Sequence, residues 1–292
     1  MALPHAITQA IADATGTAFT PRTQRSVSGG CINQSYLLAD GERRFFVKLN
    51  DAKRLPMFEA EAAGLHEILA SNTVRAPRPL CHGAADDQAY LVMEYLDLHA
   101  HGDAAALGRQ LAQMHRPPQA YFGGPRDNTL GSTPQPNTHT ATWISFWCDR
   151  RLGYQLRLAA QNGYGGKLQT QGEKLLAGLD AFFTDYQPQA SLLHGDLWGG
   201  NHGYLADGTP VIFDPAVYYG DRETDLAMTE LFGGFAPAFY AAYQEMWPLD
   251  AGYAERKTLY NLYHILNHAN LFGGGYATQA LQMVMKLNAE IT

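Results

Sequence analysis

The apolar pattern of this chain changes period about a third of the way along, and few architectures accommodate that change. Before residue 103 the signals are mostly those of hairpins. Residues 34–39 and 44–49 flank Asp40-Gly41, a pair that favours a tight turn, and residues 80–84 and 89–94 flank Asp86-Asp87. Two helices interrupt them. Leu3, Ile7, Ile11 and Ala14 recur at helical spacing with Gly16 as a stop, and Phe58, Ala62, Leu65 and Leu69 mark a helix that ends before Pro77 and Pro79. From Asp103 onward the spacing is helical. Asp103 predicts an N-cap for a helix over 104–115, and Thr142 another for a helical segment through Ala160. Residues 117–141 hold five prolines and three glycines, which predicts an irregular loop of the kind used as a lid or binding loop. After Ser191 come a polar loop, a short hairpin around Asp207-Gly208 and Asp214, and then a nearly all-helical remainder, 221–291. The reading is an α+β chain of two lobes, 1–96 and 97–292, meeting near residues 95–102, with chemistry expected in the cleft between them.

A chain of 292 residues buries enough apolar surface to fold without disulfides. Its 21 basic and 28 acidic residues give a net charge of −7, spread along the chain, which excludes the basic stripe a nucleic-acid binder needs. Cys31, Cys81 and Cys148 form no C-x-x-C pair, and an odd number suits no secreted disulfide framework, so a reducing cytoplasm is expected. No basic start followed by an apolar run marks a secretory signal. The longest apolar stretch, residues 231–243, is interrupted by Gly233, Gly234 and Pro237, and is shorter than the ~20 residues of a membrane span. Neither a membrane nor a nucleic-acid partner is expected.

The chemistry is concentrated in residues 194–201, His-Gly-Asp-Leu-Trp-Gly-Gly-Asn. This run sets Asp196 and Asn201 five residues apart, and Asp214 follows at the end of the apolar run Val211-Ile212-Phe213. Phosphoryl transfer asks for such a set. One carboxylate orients a hydroxyl and accepts its proton, while an amide oxygen and a second carboxylate suit Mg²⁺. Lys48 lies in the apolar run 45–49, where an ammonium needs a partner; nucleotide phosphates are one, and Glu59 or Glu61 from the following helix another. Both glutamates flank the apolar face, so periodicity does not choose between them. Gly29-Gly30 would let backbone N–H groups approach phosphates.

The 194–201 motif, Ile212-Phe213-Asp214-Pro215, Tyr219-Gly220, Gly29-Gly30-Cys31-Ile32 and residues 262–268 (Leu-Tyr-His-Ile-Leu-Asn-His) together resemble the fructosamine kinase (ketosamine 3-kinase) family. That family lies within the aminoglycoside phosphotransferase branch of the protein-kinase-like superfamily. The likeness covers nearly the whole chain, about residues 27–272. It implies a bilobal protein-kinase-like fold with a small β-rich N-lobe and a larger helical C-lobe. It implies Asp196 as catalytic base, Asn201 and Asp214 as Mg²⁺ ligands, Lys48 as the phosphate-binding lysine, and Met93-Glu94-Tyr95-Leu96 as the hinge that meets the adenine of ATP. It favours Glu61 over Glu59, because the family's glutamate sits just before the stretch seen here as Ala62-Ala63-Gly64-Leu65. The implied reaction is ATP-dependent phosphorylation of the C3 hydroxyl of a ketosamine, on a small amine or a protein lysine, leading to deglycation. Cys31 would be a redox thiol in the phosphate loop, making the protein a monomer or a redox-linked homodimer. There is no G-x-G-x-x-G, Pro215-Ala216 replaces Phe-Gly after Asp214, and no Ala-Pro-Glu follows, all of which argue against a signalling protein kinase. Nor is there a Walker A loop: Gly165-Gly166-Lys167 lacks the earlier glycine and the following hydroxyl.

Tyr263, His264, Asn267 and His268 carry donors and acceptors suited to sugar hydroxyls, and equally to satisfied packing between helices. His264 and His268 are spaced i, i+4, but there is no H-E-x-x-H for zinc. Trp198 stands beside the base, to stack on substrate or to wedge the loop. Cys81 and Cys148 read as packing residues. An aminoglycoside kinase shares the catalytic set but needs a pocket for a polycation. From Glu230 onward five acidic residues face three basic ones, too small a surplus for that. A non-catalytic kinase-like module is opposed by the intact set of Lys48, Asp196, Asn201 and Asp214.

Overall fold

The computed structural model describes residues 5–27 and 32–291. Gly29, Gly30 and Cys31, the expected phosphate loop and redox thiol, lie outside the described residues. The chain forms two compact units: Met1–Asp103 with Gly203–Pro215, and Ala104–His202 with Ala216–Thr292.

In the first unit, α1 (His5–Thr15) buries Ile7 and Ile11 against a sheet. The strands are β1 (Thr23–Ser26), β2 (Gln34–Ala39), β3 (Arg44–Asp51), β4 (Pro79–Ala85) and β5 (Gln88–Glu94), with α2 (Leu55–Ala70) between β3 and β4. They pair antiparallel in the order β1-β2-β3-β5-β4. Because strand side chains alternate, Phe45, Val47 and Leu49 share the core with Ile7 and Ile11, while Lys48 points to the other face, paired with Ser35 and Leu91. Pro56 helps start α2, which buries Phe58, Ala62, Leu65 and Ile68. β1 has no counterpart in the sequence reading. Its four residues are polar and exposed, so no alternation marks it, and it is defined by pairing with β2.

The segment Gly203–Pro215 returns to this unit. It includes most of a hairpin of His202–Tyr204 with Pro210–Ile212. Ile212 N donates to Arg75 O at 2.9 Å, and Tyr204 and His99 exchange two backbone bonds at 2.8 and 3.0 Å. Asp214 is carried by this segment.

The second unit begins with α3 (Ala104–His115), followed by β6 (Asn128–Leu130) and β7 (Thr133–Gln135). The proline-rich stretch is therefore not wholly irregular, since it holds a small antiparallel hairpin. Next come α4 (Trp143–Phe146), a π-helical turn at Trp147–Leu152, α5 (Gly153–Gln161) and α6 (Lys167–Ala177). Thr142 caps α4, its Oγ1 accepting from Ser145 N. The helical segment expected through Ala160 is present but changes its hydrogen-bond period in the middle. The last helices are α7 (Glu223–Leu231), α8 (Pro237–Met246), α9 (Tyr253–Phe272) and α10 (Tyr276–Glu290). Their core gathers Trp143, Phe146, Trp147, Tyr218, Tyr260 and Leu262. The strands Ser191–Leu193 and Tyr218–Gly220 pair antiparallel and anchor the 194–201 motif at its N-terminal side. Among the described residues no helix is long and apolar enough to cross a membrane.

Candidate active site

Lys48 is buried, and its Nζ lies 2.6 Å from Glu61 Oε1 and 2.5 Å from Asp214 Oδ1. Burial alone would lower its pKa; the carboxylates of Asp214 and Glu61 outweigh that and hold it above the usual lysine range. Burial raises Glu61 against the pull of Lys48. Glu61, not Glu59, is thus the residue placed against the lysine. Asp214 keeps 42% of its side chain accessible and adopts φ of 57°, left-handed backbone that aspartate tolerates better than most residues. Of the residues expected at the hinge, Met93 is buried in β5 opposite Phe46. The carboxylate of Glu94 accepts from Arg75 Nη2 and Arg78 N, both at 2.7 Å, so that side chain serves the protein itself. The Tyr95 ring lies under the Arg44 guanidinium at 5.1 Å, and Leu96 is half-buried.

In the second unit the loop after Leu193 is held from below. His194 N and Gly195 N donate to the two oxygens of Asp225, at 2.7 and 2.8 Å. Asp225 is also 3.2 Å from His115 Nε2, whose Nδ1 meets Tyr243 OH at 2.9 Å. Burial opposes the charge on Asp225, but the bonds from His115 and the loop N–H groups prevail and hold its pKa below the ordinary carboxylate range. Asp196 N donates to His194 Nδ1 at 3.2 Å. Asn201 Nδ2 donates to Asp196 O at 2.9 Å and to its Oδ2 at 3.3 Å, so the carboxylate and carboxamide of the motif face each other. Gly195 has φ of 83°, and a Cβ there would run into Ala216 O. Asp225 and His115 were not legible in the sequence. Asp225 reads as an ordinary acidic residue in the first turn of a helix, and its partners are 30 and more residues away.

The expected substrate residues separate into two groups. Trp198 is 37% exposed and packs edge-on against Phe232 at 6.1 Å, and the His268 ring meets the same Phe232 at 5.0 Å. Tyr263, His264 and Asn267 are buried instead. Tyr263 OH donates to Gln135 Oε1 at 2.7 Å, while Asn267 accepts from Gln155 Nε2 at 3.1 Å and donates to Leu130 O. Burial, with a contribution from His268, lowers the His264 pKa to about 3. His268 Nδ1 is used by the carbonyl of His264, so it does not turn toward a shared metal. Among the described residues no three His, Cys, Asp or Glu side chains cluster as a metal site. For Mg²⁺ each expected ligand is considered in its own unit: Asn201 commits its amide nitrogen to Asp196, which leaves Oδ1 free to act as a hard oxygen donor, and Asp214 offers a partly accessible carboxylate. Cys81 and Cys148 are free thiols. Burial raises both, Cys81 to about 11, consistent with packing roles.

Comparison with known proteins bears on the family and the fold. Residues 3–290 match the family model for fructosamine kinase. A probable ketoamine kinase of Synechocystis is 51% identical over 95% of this chain and 94% of its own length. The chloroplastic protein-ribulosamine 3-kinase of Arabidopsis thaliana is 42% identical over 89% of this chain and 80% of its own. A Haemophilus somnus crystal structure, assigned as a fructosamine-3-kinase, superposes with a TM-score of 0.89 at 28% identity over 96% of both chains. An aminoglycoside phosphotransferase, APH(4)-Ia, shares the fold alone, with a TM-score of 0.63 at 14% identity over 97% of this chain and 98% of its own. The protein-kinase-like fold and the match along the whole length lead to one assignment: this chain belongs to the fructosamine kinase family.

Proposed function

We propose that this protein is an ATP-dependent kinase that phosphorylates the C3 hydroxyl of ketosamines, sugar adducts of amines or of protein lysines. The observation that carries the reading is Lys48 held between Glu61 and Asp214, in a chain that also keeps Asp196 facing Asn201. In the reaction, Lys48 neutralises the α and β phosphates of ATP, and the backbone of residues 93–96 receives the adenine. Asp196 accepts the proton of the sugar hydroxyl as its oxygen bonds to the γ phosphorus. The bond from that phosphorus to the β-γ bridging oxygen breaks, and ADP leaves with the electron pair. When bound, Mg²⁺ supplies charge neutralisation on the phosphate oxygens, with Asn201 and Asp214 as its protein donors. Trp198 and His268 are the substrate-facing candidates, whereas Tyr263, His264 and Asn267 support the helices behind them. The enzyme works in the cytoplasm, in keeping with an odd number of cysteines and no C-x-x-C pair. A redox-linked dimer through Cys31 is tested by non-reducing mass measurement after mild peroxide.

The deciding experiment follows ADP release with ATP, Mg²⁺ and a panel of ribulosamines, fructosamines and aminoglycosides, with the phosphorylated position read by phosphorus NMR. Turnover of ketosamines with phosphate on C3 is expected. Turnover of aminoglycosides alone would overturn the reading.

A further inference from the structure

Arg151 is wholly buried on the π-helical turn Trp147–Leu152, and its partners are neutral. Nη1 donates to Pro136 O at 2.7 Å and to Arg150 O at 3.1 Å, and Nη2 donates to Asn137 Oδ1 at 2.6 Å. Among the described residues Nε has no hydrogen-bond partner, and the guanidinium lies over the Tyr218 ring at 4.0 Å and the Phe146 ring at 4.5 Å. A buried cation met by carbonyls and ring faces rather than a carboxylate is costly for stability, and π turns are often found at functional sites. The hydrogen bonds lead from Arg151 toward the catalytic loop. Asn137 Nδ2 donates to Asn128 Oδ1 at 3.2 Å, and that oxygen also accepts from Gln135 Nε2 at 2.7 Å. Asn128 Nδ2 then donates to Val217 O at 2.7 Å, and Gln135 Nε2 to Ala216 O at 3.1 Å. Ala216 N donates to His194 O at 2.8 Å, and Ala216 O is the atom that forbids a Cβ at Gly195.

The structure assigns to Arg151 a positioning role in phosphoryl transfer: through Asn137, Asn128 and Gln135 it fixes the backbone at 216–217, and through Ala216 the register of the loop that presents Asp196. The expected binding loop at 117–141 thereby acquires a purpose, since β6 and β7 supply the relay that joins the π turn to the catalytic loop. Asp225 grips the N–H groups of His194 and Gly195 while Ala216 grips the carbonyl of His194, so the loop is held from two sides and the relay secures the second. A carboxylate that must meet a hydroxyl proton within hydrogen-bond reach is sensitive to shifts well below 1 Å, whereas nucleotide binding is far less so.

This assignment rests on the kinase reading for its activity arm and is independent of it in a second arm. Arg151→Met and Gln135→Met are each compared with wild type, the latter removing the link to Ala216 O while leaving Arg151 and its bond to Asn137 in place should the former fold poorly. Below the unfolding temperature of each variant, and per folded molecule, kcat is expected to fall about tenfold or more while the KM for ATP stays within about threefold. Arg151→Lys, which keeps the charge but lacks the fork, is expected to recover only part of that loss. In the second arm, without substrate, hydrogen exchange at the amides of residues 194–196 is expected to quicken in both Met variants while α6 and α10 are unchanged. Wild-type kcat per folded molecule, with unchanged exchange in the loop, would overturn the assignment. A wild-type protein that turns over no ketosamine would overturn the kinase reading instead and leave the exchange arm to decide on Arg151.

Discussion

A lysine ammonium in the interior is stable only if the carboxylates around it return more than desolvation removes, and Lys48 meets that condition through Asp214 and Glu61 together. The run 45–49 already exposed the problem in the sequence, an ammonium on an apolar strand; periodicity left the partner glutamate open because residues 59 and 61 both border the apolar face of α2, and only the family resemblance favoured Glu61. Asp196 is the base of the proposed reaction. Its replacement by Asn keeps size and shape while removing the proton acceptor, so kcat should fall by about 10²–10⁴-fold with ATP affinity nearly unchanged. Paired isothermal titration and steady-state rates check this, and substantial residual turnover would show the base to be misassigned. His264 makes a prediction in pH. Its folded pKa, lowered to about 3, lies below the ~6.5 of an unfolded chain, so between those values the unfolded state binds the extra proton. Stability from this group is therefore complete above about pH 6.5 and is lost as pH falls toward 3, at up to ~1.4 kcal/mol per pH unit. Urea unfolding of His264→Gln at about pH 5 and about pH 7 should show a smaller loss between the two than wild type does, by roughly one to two kcal/mol; identical pH slopes would refute it.

Elements whose apolar residues recur regularly were legible. β2, β5, α2 and α3 fall where alternation or helical spacing placed them, because each buries one face against a core. β1 was not, since an exposed polar edge strand is made by its neighbour's free hydrogen bonds rather than by its own side chains. Nor was the hairpin of β6 and β7, whose three-residue strands are fixed by Asn128, Gln135 and Asn137, not by an apolar face. Two glycines separate packing from catalysis at this scale. Gly108 on α3 lies against α8, where a Cβ would press on the backbone oxygen of Phe239. Gly108→Ala should cost about 1–3 kcal/mol through overpacking, with kcat per folded molecule preserved. Gly195→Ala meets the backbone oxygen of Ala216 from a residue with φ of 83°, so it should lose a similar amount of stability and also turnover, because the strain falls on the loop that carries Asp196. Thermal melts beside kcat measurements distinguish the two, and equal effects on turnover would contradict the distinction.

At the scale of the molecule, the informative feature is the path of the chain. It leaves the first unit at Asp103, makes α3 through the 194–201 motif, and then returns for Gly203–Pro215 before completing the helical unit. Hydrophobic periodicity carries no sign of that return, because what fixes it is backbone pairing between residues far apart, Arg75 with Ile212 and His99 with Tyr204. The residues of the proposed chemistry accordingly divide between the units: Lys48, Glu61 and Asp214 belong to one, Asp196 and Asn201 to the other. If both sets serve a single bound nucleotide, a ligand should stabilise the chain by mass action through residues of both units. At a concentration near 100 times the dissociation constant, Mg²⁺ and ATP together should add about 2.7 kcal/mol, a rise in Tm of roughly 4–5 °C for a chain of this size. Lys48→Met should abolish most of that rise. Asp214→Asn and Asn201→Ala should each remove the part that depends on Mg²⁺ while keeping a shift with ATP alone, although the two residues sit in different units. Differential scanning fluorimetry with ATP, with and without Mg²⁺, reads all three variants. A Mg²⁺-dependent shift that survives in Asn201→Ala but not in Asp214→Asn would confine the metal to the first unit and remove Asn201 from the chemistry assigned to it.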